Sequence, residues 1–131
     1  MVIVDATVWI DYLRGDENPA TLWLDKHITQ QRLGLTDLTL CEVLQGVRND
    51  FEFLTVSEDL LQFHLFSTGG PELAVAAARN YLTLRKRGLS VRKTIDCIVA
   101  TFCLDAGHAL LHRDRDFDAF EQVLGLRVIH P

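Results

Sequence analysis

A chain of 131 residues, 48% of them hydrophobic, has the length of one domain and enough apolar material for a core, so a single domain spanning residues 1–131 is expected. Its formal net charge of −5 excludes a protein that coats polyanions indiscriminately, while leaving room for a local basic face. Its cysteines, Cys41, Cys97 and Cys103, are odd in number and lack a CxxC pair, which excludes a disulfide framework and fits a reducing compartment.

The opening MVIVDATVWI reaches an acid at its fifth residue, too early for a secretory leader. No uninterrupted apolar run approaches the length of a membrane span. A soluble, cytoplasmic location is therefore expected. Residues 2–4, VIV, form a β-branched run ending at Asp5 and read as a buried strand. Residues 7–14 then read as a helix closed by Gly15. Asn18-Pro19 opens a second helix reaching to about residue 31. Residues 33–36, LGLT, suit a second strand, and Asp37 is placed to cap a helix striped with Leu40, Val43, Leu44 and Val47. Residues 51–67 read as helical, with Thr55-Val56-Ser57 as a possible interruption. After the Gly69-Gly70-Pro71 break come a long helix over 72–87 and a nearly all-apolar one over 94–106. A strand over 109–111, a short helix over 116–124 and a last strand over 126–129 complete the chain.

Alternating strands and helices imply an α/β domain with a mainly parallel sheet. Functional groups then gather beyond the C-terminal strand ends. Asp5 and Asp114 both come just after predicted strands and become neighbours. Glu42 in LTLCEVLQG and Asp96 in KTIDCIVATFC complete a set of acids. Each has an ordinary reading alone: Asp5 and Asp114 as helix caps, Glu42 as a solvated side chain, Asp96 as a complement to a helix dipole. Together they would repel strongly in one cleft. A divalent cation reverses that, and an oxygen-rich site favours Mg²⁺ or Mn²⁺.

The run HRDRDFDAF also carries Asp116 and Asp118. As a calcium loop it fails, because its sixth position is Ala119 and its twelfth Gly125. An aspartyl-phosphate phosphatase would want an acid where Thr7 stands, and no phosphate-binding glycine motif occurs. His108 and His112 flank a predicted strand, so they read as structural rather than as a metal pair. Residues 79–93, RNYLTLRKRGLSVRK, contain no acid. Arg85, Arg87, Arg92 and Lys93 of that run are candidates for a phosphate-attracting rim beside Asp96; the ordinary alternative is a basic helix end.

The stretches IVDATVWIDYL, TLCEVLQGV, TIDCIVATF and ALLHRDRDF together resemble the acidic motifs of PIN-domain ribonucleases, in particular the VapC toxin branch of toxin–antitoxin pairs. The resemblance runs over essentially the whole chain. It implies a PIN-like fold, a short, mainly parallel sheet sandwiched between helices. It implies that Asp5, Glu42, Asp96 and Asp114 are catalytic and hold Mg²⁺ or Mn²⁺, one ion or two. Asp116 would be an additional ligand, and Thr7 would orient the first motif. The implied reaction is hydrolysis of an RNA phosphodiester, in tRNA or rRNA, leaving 5′-phosphate and 3′-hydroxyl ends. The implied partners are a VapB-like antitoxin and a second copy of the chain, with no membrane association. An apolar surface for the antitoxin is expected from Trp9, Tyr12 and Leu13 with Phe51, Phe53 and Leu54. The alternatives are a PIN nuclease of RNA processing, a nuclease acting on DNA, and a catalytically silent binding module.

Overall fold

In the computed structural model, which describes residues 1–131, a parallel sheet runs through the middle of the molecule in the order β3-β2-β1-β4. The elements are β1 (Val2–Val4), α1 (Ala6–Arg14), α2 (Pro19–His27), β2 (Leu33–Thr36), α3 (Asp37–Gln45), α4 (Asp50–Leu60), β3 (His64–Phe66), α5 (Pro71–Lys86), α6 (Thr94–Ala106), β4 (Ala109–Leu111) and α7 (Asp118–Leu124). A 3-10 turn over Arg115–Phe117 leads into α7. The α/β class and the helix-covered parallel sheet agree with the sequence reading.

β1, β2 and β4 are buried along nearly their whole length because both faces of the sheet are covered there. Side chains alternate faces along a strand. On β1, Val2 and Val4 enter one core with Val8, Trp9, Leu24, Leu35, Val43 and Leu60. Ile3 points the other way, into a second core with Leu84, Val99, Cys103, Leu110, Phe117 and Phe120. α1 to α4 therefore cover one face and α5 to α7 the other.

Register brings β1 and β4 side by side, with Val4 opposite Leu111. The ladder continues one step further, as the Asp5 N–H donates to the Leu111 carbonyl at 2.9 Å. The residues just after both strands thus leave the sheet at the same end. That is the juxtaposition of Asp5 and Asp114 expected from the chain order.

Several local expectations change. The final strand over 126–129 reduces to one bridge between Leu110 and Val128. Residues 51–67 are not one helix. α4 passes unbroken through Thr55-Val56-Ser57, with the Thr55 hydroxyl donating to the Phe51 carbonyl at 2.9 Å and Val56 buried. The chain then turns at Leu61 and forms β3, an exposed edge strand without the buried run that marks the others. α2 ends at His27, short of residue 31. The cap of α3 is Thr36, whose hydroxyl accepts from the Thr39 N–H at 3.0 Å. Asp37 instead receives the Thr68 N–H and hydroxyl at 3.1 and 2.7 Å, tying the start of α3 to the segment after β3. No helix is long and apolar enough to cross a membrane.

Candidate active site

Asp5 stands at the junction of β1 and α1, where its extended backbone makes it the N-cap of the helix. Its Oδ2 accepts from both the N–H and the hydroxyl of Thr7, at 3.1 and 2.7 Å. The Thr7 hydroxyl oxygen accepts in turn from the Arg113 N–H at 3.1 Å. Arg113 is anchored by its guanidinium to Asp11, with Nη1 2.5 Å from Oδ2. The strand ends of β1 and β4 are therefore locked together through a hydroxyl. Oδ2 of Asp5 is held and Oδ1 is left buried with no partner.

Asp96 lies in the first turn of α6, on the same broad buried face as Cys97, Val99, Ala100 and Cys103. Only 4% of it is exposed, and its Oδ2 also has no partner. Glu42, on α3, is half-buried and presents a third partnerless carboxylate oxygen, Oε1. Asp114 comes after β4 and caps the 3-10 turn, its Oδ1 accepting from the Asp116 N–H at 2.9 Å. Its own N–H donates to Nδ1 of His112 at 3.1 Å.

The electrostatics place these acids in one field. Burial pushes the Asp96 carboxyl up to about 7, helped by Asp5 and Asp114 and opposed by Lys93. Burial also raises Glu42, with Asp5 and Asp114 adding to it and Lys93 opposing. Asp5 is raised by burial against the pull of its Thr7 hydrogen bonds. Buried carboxylates without partners are costly. One oxygen each from Asp96, Asp114 and Asp116 lie within 4.8 Å of one another. Oxygens around one octahedral Mg²⁺ lie at most about 4.2 Å apart, so a small side-chain adjustment closes that set on an ion. All donors are carboxylate oxygens, which suit a hard divalent cation rather than the nitrogen and sulfur donors of a structural zinc site. The residues present fit a divalent cation.

Every acid singled out in the sequence except Asp118, which is exposed, reaches this end of the sheet. Asp116 is there too, but its Oδ2 pairs with Arg92, Nε to Oδ2 at 3.1 Å. Lys93, expected only as rim, lies 4.0 Å from Asp114 Oδ2. Arg85 and Arg87 are exposed around the end of α5, with no acid in ion-pair range. His108 and His112 lie at opposite ends of β4 and form no pair, as expected from a strand between them. Trp9 belongs to the core, only 2% exposed, so it does not contribute to an apolar surface.

Two supporting residues escaped the sequence reading: His112, which holds the backbone of Asp114, and Arg113, which holds Thr7. Both lie inside HRDRDF, where the aspartate spacing drew attention first. Burial pushes the His112 imidazole down in pKa, against the pull of Asp5, which keeps Nδ1 free to accept from Asp114.

The PIN domain family model matches residues 2–123. Ribonuclease VapC11 of Mycobacterium tuberculosis is 26% identical over 136 aligned positions, covering 97% of this chain and 96% of the relative. A VapC ribonuclease of Mycobacterium bovis matches to the same extent. Among solved structures, VapBC2 from Rickettsia felis bound to a DNA fragment from their promoter superposes with a TM-score of 0.77 at 10% identity, covering 98% of each chain. FitAcB from Neisseria gonorrhoeae gives 0.75 at 21% identity, over 100% of this chain and 98% of that one. VapC20 of Mycobacterium tuberculosis, a sarcin-ricin loop cleaving toxin, gives 0.74 at 12% identity over the whole of both.

Proposed function

The chain belongs to the PIN domain family, and from that membership and its acid cluster we propose that it is a Mg²⁺- or Mn²⁺-dependent endoribonuclease, the toxin of a toxin–antitoxin pair. The observation that carries this reading is the set of buried, partnerless oxygens on Asp5, Glu42 and Asp96. They come from three separate elements beside Asp114. Keeping carboxylates in that state costs the fold stability, and positive charge from a ligand offsets the cost.

In this reading Asp5, Glu42, Asp96 and Asp114 are the catalytic carboxylates and hold the cation. The bound cation supplies a Lewis acid for a phosphate oxygen and lowers the pKa of a water. Thr7 fixes Asp5 so that Oδ1 faces inward. His112 fixes the backbone at Asp114. Arg85 and Arg87, with Lys93, attract the RNA backbone towards the acids. Water adds to phosphorus as the bond to the 3′ oxygen breaks, leaving 5′-phosphate and 3′-hydroxyl ends. The substrate class is structured cellular RNA, tRNA or rRNA, and the chain works as one domain in the cytoplasm.

The same reading supplies a protein partner, a VapB-like antitoxin, and assembly as a homodimer within a hetero-oligomer. A groove of about 510 Å³ supports the antitoxin, lined by Ile10, Leu13, Val43, Val47 and Val56 among others. On neighbouring α4, Phe51 and Leu54 are 81% and 58% exposed, apolar area that a partner would cover.

The deciding experiment incubates total cellular RNA with the purified, partner-free chain in Mg²⁺ or Mn²⁺, beside EDTA and Asp5→Asn and Asp96→Asn controls of verified fold. Discrete metal-dependent fragments, absent from the controls, are expected. Cleavage retained by Asp96→Asn would remove Asp96 from the ligand set, and metal-independent cleavage would overturn the reading.

A further inference from the structure

The N-terminal ends of the strands gather at the edge of the sheet opposite Asp5 and Asp114, and there the charge is of the opposite sign. Residues 28–33 run into β2 and residues 62–64 into β3, and parallel pairing sets Gly34 beside His64. Between these segments opens a pocket of about 520 Å³, in the size range of a small-ligand site. Its lining includes Arg32 and His64, the amides of Gln31 and Gln62, and an apolar wall from Ile28 and Phe63, and it holds no carboxylate. Arg32 is exposed and makes no ion pair.

The positive character continues past the pocket. The exposed His64 lies against Phe66, ring centroids 4.4 Å apart, and Phe66 meets His108 at 5.1 Å. The Arg127 guanidinium donates to the Gly107 carbonyl beside His108. Burial lowers the His108 imidazole in pKa, and neighbouring cations, Arg127 and His64 among them, lower it further. None of His64, His108 and Arg127 has an acid in ion-pair range. Near the acid cluster the cations are taken up, Arg92 by Asp116 and Arg113 by Asp11. In a chain of net charge −5, this end keeps its positive groups free.

The pocket groups match the parts of a nucleotide. A guanidinium meets a phosphate through parallel N–H donors. An exposed histidine ring offers a base a surface to stack on. A glutamine amide presents a donor and an acceptor together, as the edge of a base requires. An acidic peptide would use the cations and leave the ring and the amides unmatched.

We infer that this pocket is a nucleotide-binding site separate from the acid cluster, in which Arg32 takes the phosphate, His64 stacks on the base, and Gln31 and Gln62 meet its edge. The nucleotide comes either from the RNA strand or from a free mononucleotide, and the first source rests on the ribonuclease reading above. From Met1, which lines the pocket, to Asp5 the extended chain advances roughly 13 Å, a span that a few nucleotides of one strand bridge.

The full chain is titrated in EDTA with each of the four nucleoside monophosphates, their nucleosides, inorganic phosphate and a short single-stranded RNA. Calorimetry and fluorescence anisotropy give the affinities for the wild type, Arg32→Ala, His64→Ala and Gln31→Ala/Gln62→Ala. All four side chains are exposed, and circular dichroism verifies each fold. At least one monophosphate is expected to bind the wild type roughly tenfold more tightly than its nucleoside or phosphate alone. Arg32→Ala should reduce it to the level of the nucleoside, and His64→Ala should weaken monophosphate and nucleoside alike. RNA affinity falling in the same variants assigns the site to the RNA strand; RNA affinity unchanged assigns it to a free mononucleotide. Monophosphates bound no more tightly than phosphate (an adventitious ion only), or bound equally by all the variants, would overturn the inference. Cleavage of total RNA in Mn²⁺ tests the ribonuclease reading separately. Monophosphate binding without cleavage leaves the pocket standing, and cleavage without monophosphate binding leaves that reading standing and overturns the inference.

Discussion

Thr7 directs both of its donors to one oxygen of Asp5: the N–H at 3.1 Å and the hydroxyl at 2.7 Å both reach Oδ2. The two bonds restrain the carboxylate, and Oδ1 is left buried with no partner. The hydroxyl also accepts from Arg113, so its orientation is set from the β4 side. Under the proposed function Asp5 is a metal ligand, and partners that orient such a ligand typically matter 10–100-fold in affinity or activity. Thr7→Val keeps the shape and the backbone donor but loses the hydroxyl. It is expected to weaken Mn²⁺ binding and RNA cleavage by roughly that factor, with Thr7→Ser close to wild type. Equal metal affinity in wild type and Thr7→Val, by calorimetry, would show that the helix backbone alone orients Asp5.

The acid cluster makes the metal-free chain sensitive to pH in a definite direction. Asp96 titrates near 7 in the fold, raised by burial and then by Asp5 and Asp114, against an ordinary value of 3.8. A raised acid binds its proton more tightly folded than unfolded. Stability from this group is therefore full below about pH 4 and falls as pH rises towards 7. Asp5 and Glu42 shift in the same direction. In EDTA the protein is expected to melt at a lower temperature at pH 8 than at pH 5. Asp96→Asn should raise the pH 8 melting temperature by roughly 5 °C or more and flatten the pH dependence. Mn²⁺ should stabilise the wild type more at pH 8 than at pH 5, and Asp96→Asn hardly at all. A metal-free Asp96→Asn variant less stable than wild type at pH 8 would mean that its charge is already compensated within the chain.

The parts of this site that were legible in the sequence are those written by local rules. β1, β2 and β4 are short buried runs ending at Asp5, Thr36 and the HRDRDF turn, and a parallel sheet delivers the residues after each strand to one edge. β3 was not legible, because an edge strand with exposed His64 and Leu65 lacks the apolar run that signals burial. The last expected strand has the right composition, but only Val128 finds a bridge. The pairing of Arg92 with Asp116 joins residues 24 apart in sequence and arises from how α6 docks, which no spacing rule contains. Arg113 reaches Thr7 through its backbone N–H, and the His112 ring accepts from a backbone N–H two residues on, contacts that residue type and spacing alone do not announce.

The basic run can be tested without disturbing the acids. Arg92 holds Asp116 and Lys93 lies near Asp114, so reversing either would alter the cluster itself. Arg85 and Arg87 are exposed at the end of α5, ahead of the loop that leads to α6. Arg85→Glu/Arg87→Glu is expected to weaken binding of single-stranded RNA at low salt. If each arginine contacts one phosphate, the slope of log K against log salt flattens by about 1.4. Mn²⁺ affinity should not change. Fluorescence anisotropy across a salt series gives the slope, and an unchanged slope would move the RNA path away from the end of α5.

Gly34 offers a stability test on the opposite side of the sheet order. It pairs with Ile3 on β1 and with His64 on β3. A Cβ added there would lie 2.9 Å from Phe66 Cε2, 3.0 Å from the His64 carbonyl oxygen and 3.1 Å from Met1 Sδ. The methionine is flexible and can yield. The His64 carbonyl is backbone, and the Phe66 ring packs against Phe102 and His108 at centroid distances of 5.3 and 5.1 Å. Gly34→Ala therefore pushes β3 away from β2, at a cost of about 1–3 kcal/mol. The melting temperature should fall by several degrees. Cleavage per folded molecule should hold, because Asp5, Asp96 and Asp114 are carried by β1, α6 and the turn after β4. An unchanged melting temperature would show that the β3 edge moves freely. Lost cleavage at full folding would show that strain at β2 reaches Glu42 through α3.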